Sequence, residues 1–167
     1  AAETIVTNND ITVDGGTLTH GFSAQGGFAR AETGGGAAEA HADVNSVTLK
    51  NLLSDNGGYI GGSAYANPSG AGATASADRN VVTITGGTIG TTMQAADVYG
   101  GKTTEGPGSG TTDNVVNLGA EHGTYAADLT NAQVHGDNST DSAVNHNVLN
   151  VRGQDINGKS VDKVDKY

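Results

Sequence analysis

Short stretches in which every second residue is aliphatic recur along the chain with nearly constant spacing. Asn9-Asp-Ile11-Thr-Val13, Asn45-Ser-Val47-Thr-Leu49, Asn80-Val-Val82-Thr-Ile84, Asn114-Val-Val116-Asn-Leu118 and Asn147-Val-Leu149-Asn-Val151 share the template Asn-x-aliphatic-Thr/Asn-aliphatic. Their first residues lie 36, 35, 34 and 33 positions apart. Alternation with period two is the mark of a half-buried strand, and a fixed period of this length is the mark of a stacked repeat. Stacking in register predicts one inward ladder of Ile11, Val47, Val82, Val116 and Leu149 and a second of Val13, Leu49, Ile84, Leu118 and Val151. Thr12, Thr48, Thr83, Asn117 and Asn150 then line the outer side. The five leading asparagines fall at the turn into each strand, where Asn tolerates unusual dihedrals, and their stacked amides are placed to bond one another.

Two weaker phrases follow within each unit. Gly15-Gly-Thr-Leu18 and Gly86-Gly-Thr-Ile89, with Asn51-Leu-Leu53 and Gln154-Asp-Ile156 as degenerate forms, suggest a glycine corner and a second short strand. Tyr59-Ile-Gly-Gly62, Val98-Tyr-Gly-Gly101, Val134-His-Gly136 and the looser Ala24-Gln-Gly-Gly27 suggest a third. Three strands per unit describe one turn of a three-sided coil, and five coils make a rod about 24 Å long. The predicted fold is therefore all-β, a parallel β-solenoid, with units at 9–44, 45–79, 80–113, 114–146 and an incomplete 147–167. An antiparallel roll or sandwich shares the short alternating strands and is the rival architecture. The segments 29–44, 63–79, 102–113 and 137–146, rich in Gly, Ala, Ser and Thr, read as loops on one side of the rod, with a helical turn as an alternative at 37–44. The segment 160–167 reads as a truncated next coil or a frayed end.

Composition makes a conventional core thin: 27 Gly, two Phe, five Tyr and no Trp in 167 residues. Small residues suit a low-bulk stacked sheet. Eighteen acids against eight bases give a net charge of −10, with no basic stripe, so nucleic acid is not an expected partner. No apolar run approaches the roughly 18 residues of a membrane span, so no direct membrane insertion of this segment is expected. With no cysteine, neither a disulfide staple nor thiolate chemistry arises. The Ala-rich start would suit the position after a removed signal peptide.

Across residues 9–158, the pattern Asn-x-Val-Thr-Ile-Thr-Gly-Gly-Thr-Ile, followed by Asp97-Val-Tyr-Gly-Gly101 and a Gly/Ser/Thr-rich loop, resembles the repeats of large bacterial autotransporter passengers and related surface adhesins. The resemblance implies a right-handed parallel β-helix, export by the type V pathway, and display on a Gram-negative outer membrane or release from it. The translocator barrel of such proteins has no counterpart here, so the chain would be a passenger fragment.

Candidate chemistry is sparse. Asp43, Asp78 and Asp113 precede the Asn strand of three successive units at intervals of 35 and 35. Stacked one rung apart, they would approach the roughly 5–5.5 Å carboxyl separation of retaining glycosidases. Closing an Asx turn is the plainer role for Asp at such a place, and a cation site is a third. Asp137, Asn138 and Asp141 lie in an oxygen-rich loop that suits calcium but lacks the spacing of known calcium loops. His20, His41, His122, His135 and His146 occupy different places in the repeat and form no zinc-spaced pair. No nucleophile motif or phosphate loop occurs, and no cofactor is expected. Tyr59, Tyr65, Tyr99 and Tyr125, beside glycine-rich segments, are candidate contacts for a sugar or a protein.

The expected function is a non-enzymatic surface adhesin or stalk segment. Its partners would be a host-cell or bacterial surface protein or glycan, or a second copy of itself. A carbohydrate-active enzyme using stacked aspartates and a purely structural spacer are the alternatives.

Overall fold

The computed structural model describes residues 2–19, 21, 23–55, 57–66, 72–104, 110–120, 126–139 and 145–164. Among them are fourteen strands and no helix: β1 (Ala2–Thr7), β2 (Asp10–Asp14), β3 (Thr17–Leu18), β4 (Ala24–Ala31), β5 (Ala38–Asp43), β6 (Ser46–Ser54), β7 (Gly57–Ala66), β8 (Thr74–Ser76), β9 (Val81–Ile89), β10 (Ala96–Thr104), β11 (Val115–Gly119), β12 (Ala132–His135), β13 (Val148–Arg152) and β14 (Ser160–Asp162). They form three parallel sheets in the orders β2-β6-β9-β11-β13 (with β3 also on β6), β4-β7-β10-β12-β14, and β1-β5-β8. The chain visits the sheets in rotation. The result is a three-sided parallel β-solenoid whose first sheet has five rungs, joined by four circuits of the chain. We call the sides the asparagine, glycine and alanine faces.

On the asparagine face both inward ladders form in the expected register. Ile11, Val47, Val82, Val116 and Leu149 pair in succession, as do Val13, Leu49, Ile84, Leu118 and Val151, while Thr12, Thr48, Thr83, Asn117 and Asn150 align between them. The middle rungs are fully buried and fuse with Leu52, Ile89, Val98 and Val134 into one aliphatic core. Ile11, on the first rung, pairs with no rung beyond it among the described residues and is exposed at 36%.

The asparagines do more than turn the chain. Each side-chain amide bonds the next: Asn9 Nδ2 donates to Asn45 Oδ1 (3.0 Å), Asn45 to Asn80 (3.3 Å), Asn80 to Asn114 (3.2 Å) and Asn114 to Asn147 (3.2 Å). The same four oxygens also accept the backbone N–H of the preceding rung's asparagine, at 2.8–3.1 Å. The last four asparagines are buried, so these bonds satisfy groups that would otherwise cost dearly in an apolar setting. The unusual dihedrals fall one residue earlier than expected, on Asn8, Val44, Arg79, Asp113 and His146, all with φ of 55–60°.

The glycine pairs of the third phrase are not corners. Gly26-Gly27, Gly61-Gly62 and Gly100-Gly101 lie inside β4, β7 and β10 without positive φ, packed on the asparagine ladder. A Cβ on Gly62 would stand 2.2 Å from Ala42 O and 2.5 Å from Asn80 Oδ1; one on Gly101 would stand 2.3 Å from Ala77 O. At the glycine pair the in–out alternation slips by one residue, in β10 from Val98 in and Tyr99 out to Lys102 out and Thr103 in. True corners with positive φ stand at Gly15, Asn51 and Gly86, where the second short strand of the early coils begins. In the last coil 153–158 forms no strand.

The segments read as loops are in large part strand. Residues 29–31, 38–43, 63–66, 74–76 and 102–104 belong to β4, β5, β7, β8 and β10. A helical turn at 37–44 is excluded, because β5 pairs with both β1 and β8. Here the alanine face and the outer half of the glycine face close on each other through alanine alone: Ala29, Ala31, Ala38, Ala40, Ala42, Ala64, Ala66, Ala73 and Ala75 make a second core, with Val6 against it. Two sheets that share only methyl groups come close together, and this gives the rod a thin lobe beside its aliphatic one. At the C-terminal end, Ser160–Asp162 pairs with β12, so the last segment begins a further rung.

Candidate functional site

The aspartate column contains two acids. Asp43 and Asp78 each stand two positions before a ladder asparagine, but in the next coil that place is held by Thr112, and Asp113 has moved to the positive-φ corner at φ 57°. The equal spacing of 35 misled because the third unit, 80–113, is one residue shorter than the second. Each carboxylate binds the next rung's backbone: Asp43 Oδ1 accepts Asp78 N–H (2.8 Å), and Asp78 Oδ1 accepts Thr112 N–H (2.9 Å). Burial raises the Asp78 carboxyl above its usual range; the Thr112 bond opposes this, and the neighbouring Asp43 charge adds to it. This is the Asx-like role, extended between coils.

On the outer side of the alanine face, Asp43 joins a polar row. Ser76 Oγ lies 3.1 and 3.2 Å from the two Asp43 oxygens and 2.8 Å from His41 Nδ1. His41 Nε2 points toward Glu39 Oε2 at 4.0 Å, and Glu39 pairs in register with Glu3 on the next strand. The histidines' scatter through the repeat concealed this arrangement, since only one of them takes part. The signal that could have found it was the Glu39-x-His41-x-Asp43 alternation, which places all three on one side of a strand.

Asp137 and Asn138 serve as end-pieces. Asp137 is buried, and its carboxylate accepts Ser139 N–H (2.7 Å), Asn145 Nδ2 (3.0 Å) and Asn147 Nδ2 (2.6 Å), so it terminates the asparagine ladder. Asn138 accepts Thr103 N–H at 2.9 Å and donates to Thr103 O at 2.7 Å, standing in for a strand residue beside β10. Gln154 does the same for Ala127, at 2.8 and 2.9 Å. Protein donors thus already bond the Asp137 and Asn138 oxygens proposed for calcium. Asp141, the third member of that set, lies outside the described residues, as do Tyr125, His20 and His122.

The tyrosines divide. Tyr59 is fully buried in the aliphatic core, with its hydroxyl donating to Ser54 Oγ, which removes it from the contact candidates. It shares an inward row with Val98 and Val134, and that alignment was the missed signal. Tyr65 and Tyr99 lie on the outer side of the glycine face. Arg30, paired in register with Tyr65, holds its guanidinium 5.1 Å from that ring's centre. Lys102 stands 5.0 Å from the Tyr99 ring, whose other neighbour is the stacked His135 at 4.7 Å. Phe28, in the row between, is 51% exposed. Sequence reasoning missed Phe28, Arg30 and Lys102, because their segments read partly as loop. A second surface runs along the asparagine face: a groove of about 380 Å³ lined by Thr83, Thr85, Asn117, Leu118, Asn150 and Arg152. In it Asn150 donates to Asn117 and Asn117 to Thr83.

The structure defines a class by its architecture, the parallel β-solenoids. No family model, no curated protein and no solved structure matches the chain.

Proposed function

We propose that this chain is a non-enzymatic stalk segment of a bacterial cell-surface adhesin of the autotransporter-passenger kind, and that its glycine face carries the contact. The observation supporting this reading is the set of aromatic rings held on a rigid flat sheet: Phe28, Tyr65 and Tyr99, with Arg30 and Lys102 against two of them. Aromatic and arginine side chains dominate binding energy at recognition surfaces, and cations on ring faces add to it. A sheet also fixes their spacing without the entropy cost of ordering a loop. The ligand class that suits flat rings flanked by cations is a surface glycan or protein bearing acidic groups.

The test displays the chain on cells and measures attachment to host cells and to other bacteria. Tyr65→Ala with Tyr99→Ala should lower attachment about tenfold or more, with the far-UV β-sheet signal and melting unchanged. No attachment by the wild-type chain would favour the spacer. Turnover of a polysaccharide panel that is lost in Asp78→Asn would favour the enzyme reading, which rests on Asp43 and Asp78 lying one rung apart.

A further inference from the structure

We propose that Glu3, Glu39 and His41, on the outer side of the alanine face, form a binding site for one zinc-class divalent cation, independent of the contact surface. One ligand atom from each of the three lies within 4.8 Å of the other two. They come from two paired strands, β1 and β5, in which Glu3 faces Glu39 directly and His41 stands two residues further along the same side.

The second observation concerns the imidazole. His41 Nδ1 is 2.8 Å from Ser76 Oγ, and that hydroxyl is 3.1 Å from Asp43 Oδ1. A hydroxyl that donates to the carboxylate accepts from Nδ1–H, which fixes the tautomer that leaves Nε2 bare. Orientation of a metal-binding imidazole through its other nitrogen, by a chain ending in a carboxylate, is the usual outer support of such sites. Ser76 is also in register with His41, on β8, so the supporting group is as rigidly placed as the ligands. Nε2 then points at Glu39 Oε2 from 4.0 Å, beyond hydrogen-bond reach. Ligand atoms about 2.1 Å from a tetrahedral zinc lie about 3.4 Å apart, within the swing of two exposed glutamate side chains.

The charges argue the same way. Two carboxylates directly opposite on neighbouring strands repel and destabilise the pair; a cation between them turns that cost into attraction. One imidazole nitrogen with two carboxylate oxygens is a donor set for zinc, whereas calcium takes six to eight oxygens and magnesium keeps an octahedral shell of them. Three protein ligands leave the fourth tetrahedral position facing solvent, open to water or to a donor on a contacting molecule.

The experiment titrates metal-free full chain with Zn²⁺ by calorimetry and with Co²⁺ by visible absorption. One saturable equivalent is expected, with the intense Co²⁺ bands of a tetrahedral site and no displacement by about a hundredfold excess of Ca²⁺. His41→Ala and Glu39→Gln should each weaken binding at least about tenfold, and Ser76→Ala, which leaves every ligand in place, by about tenfold. His135→Ala, remote from the three ligands, should leave the zinc affinity unchanged. Metal-free melting curves superimposable on the wild type show that the variants fold. Absence of saturable binding, equal competition by Ca²⁺, or unchanged affinity in His41→Ala would each overturn the proposal.

Discussion

Asn80 and Asn9 carry the same side chain in the same template and hold different energetic positions. Asn80 is fully buried, and its Oδ1 accepts both the backbone N–H and Nδ2 of Asn45. Removing the amide strands the buried Asn45 N–H, at about 1–3 kcal/mol, and takes one of two acceptors from Asn45 Nδ2, which keeps Val6 O at 3.1 Å, for about 1 kcal/mol more. Asn9 is exposed and accepts nothing from a preceding rung among the described residues. Asn80→Ala should therefore destabilise by about 2–4 kcal/mol and Asn9→Ala by about 1 kcal/mol or less, read as midpoint shifts in denaturant titrations followed by circular dichroism; equal shifts would contradict the ladder. Val44 makes the opposite case. A β-branched residue with φ 59°, 43% exposed, sits where the corner needs left-handed backbone. Val44→Asn should stabilise by about 1 kcal/mol, because the N–H bond from residue 44 to Asp78 O at 2.9 Å does not depend on the side chain.

At the scale of the strand, the glycine pairs and the asparagine ladder specify each other. β7 passes so close to Asn80 that a methyl on Gly62 would meet backbone oxygen at 2.2 Å. Gly62→Ala should cost about 3 kcal/mol or more, whereas Gly34→Ala, with nothing within 4 Å of the added carbon, should stay within about 0.5 kcal/mol; thermal melts of the two variants check this. The same strands show what a sequence can reveal. The five rungs of the asparagine face were legible down to single residues, since Val, Ile and Leu alternating with Thr leave few ways to hide apolar bulk. The alanine face was illegible for the converse reason. Ala38-Glu-Ala40-His-Ala42 alternates just as regularly, but alanine is small enough to pass for loop or helix, so strands were read as loops. The glycine slip also breaks period two within β4, β7 and β10, and it concealed which tyrosines face inward. Tyr65 and Tyr99 were legible as candidate contacts, and both lie on the outer side of the glycine face. Their cationic neighbours were not: Arg30 meets Tyr65 across strands 35 residues apart, in a register that the loop reading left undefined, and Lys102 comes to the side of Tyr99, three residues away in β10, only through the glycine slip.

Across the whole molecule, each rung touches chiefly the rungs before and after it, so stability is close to a sum of neighbour terms. Such a rod frays from its ends. Backbone amides in β6 and β9, paired on both sides, should exchange hydrogen about 100-fold more slowly than those of β14, paired on one side only. Exchange measured by mass spectrometry tests this, and uniform protection along the rod would indicate a single cooperative unit instead.

The asparagine ladder also has a direction. From Asn45 to Asn114 each amide receives from the coil before it and gives to the coil after it; Asn147 then gives to Asp137, which only receives and closes the series. A copied unit spliced between any two coils therefore meets a donor on one side and an acceptor on the other, and lengthens the rod by about 4.8 Å. For such a chain, reach is a quantity that gene duplication can tune in single steps, with no new side chain to invent.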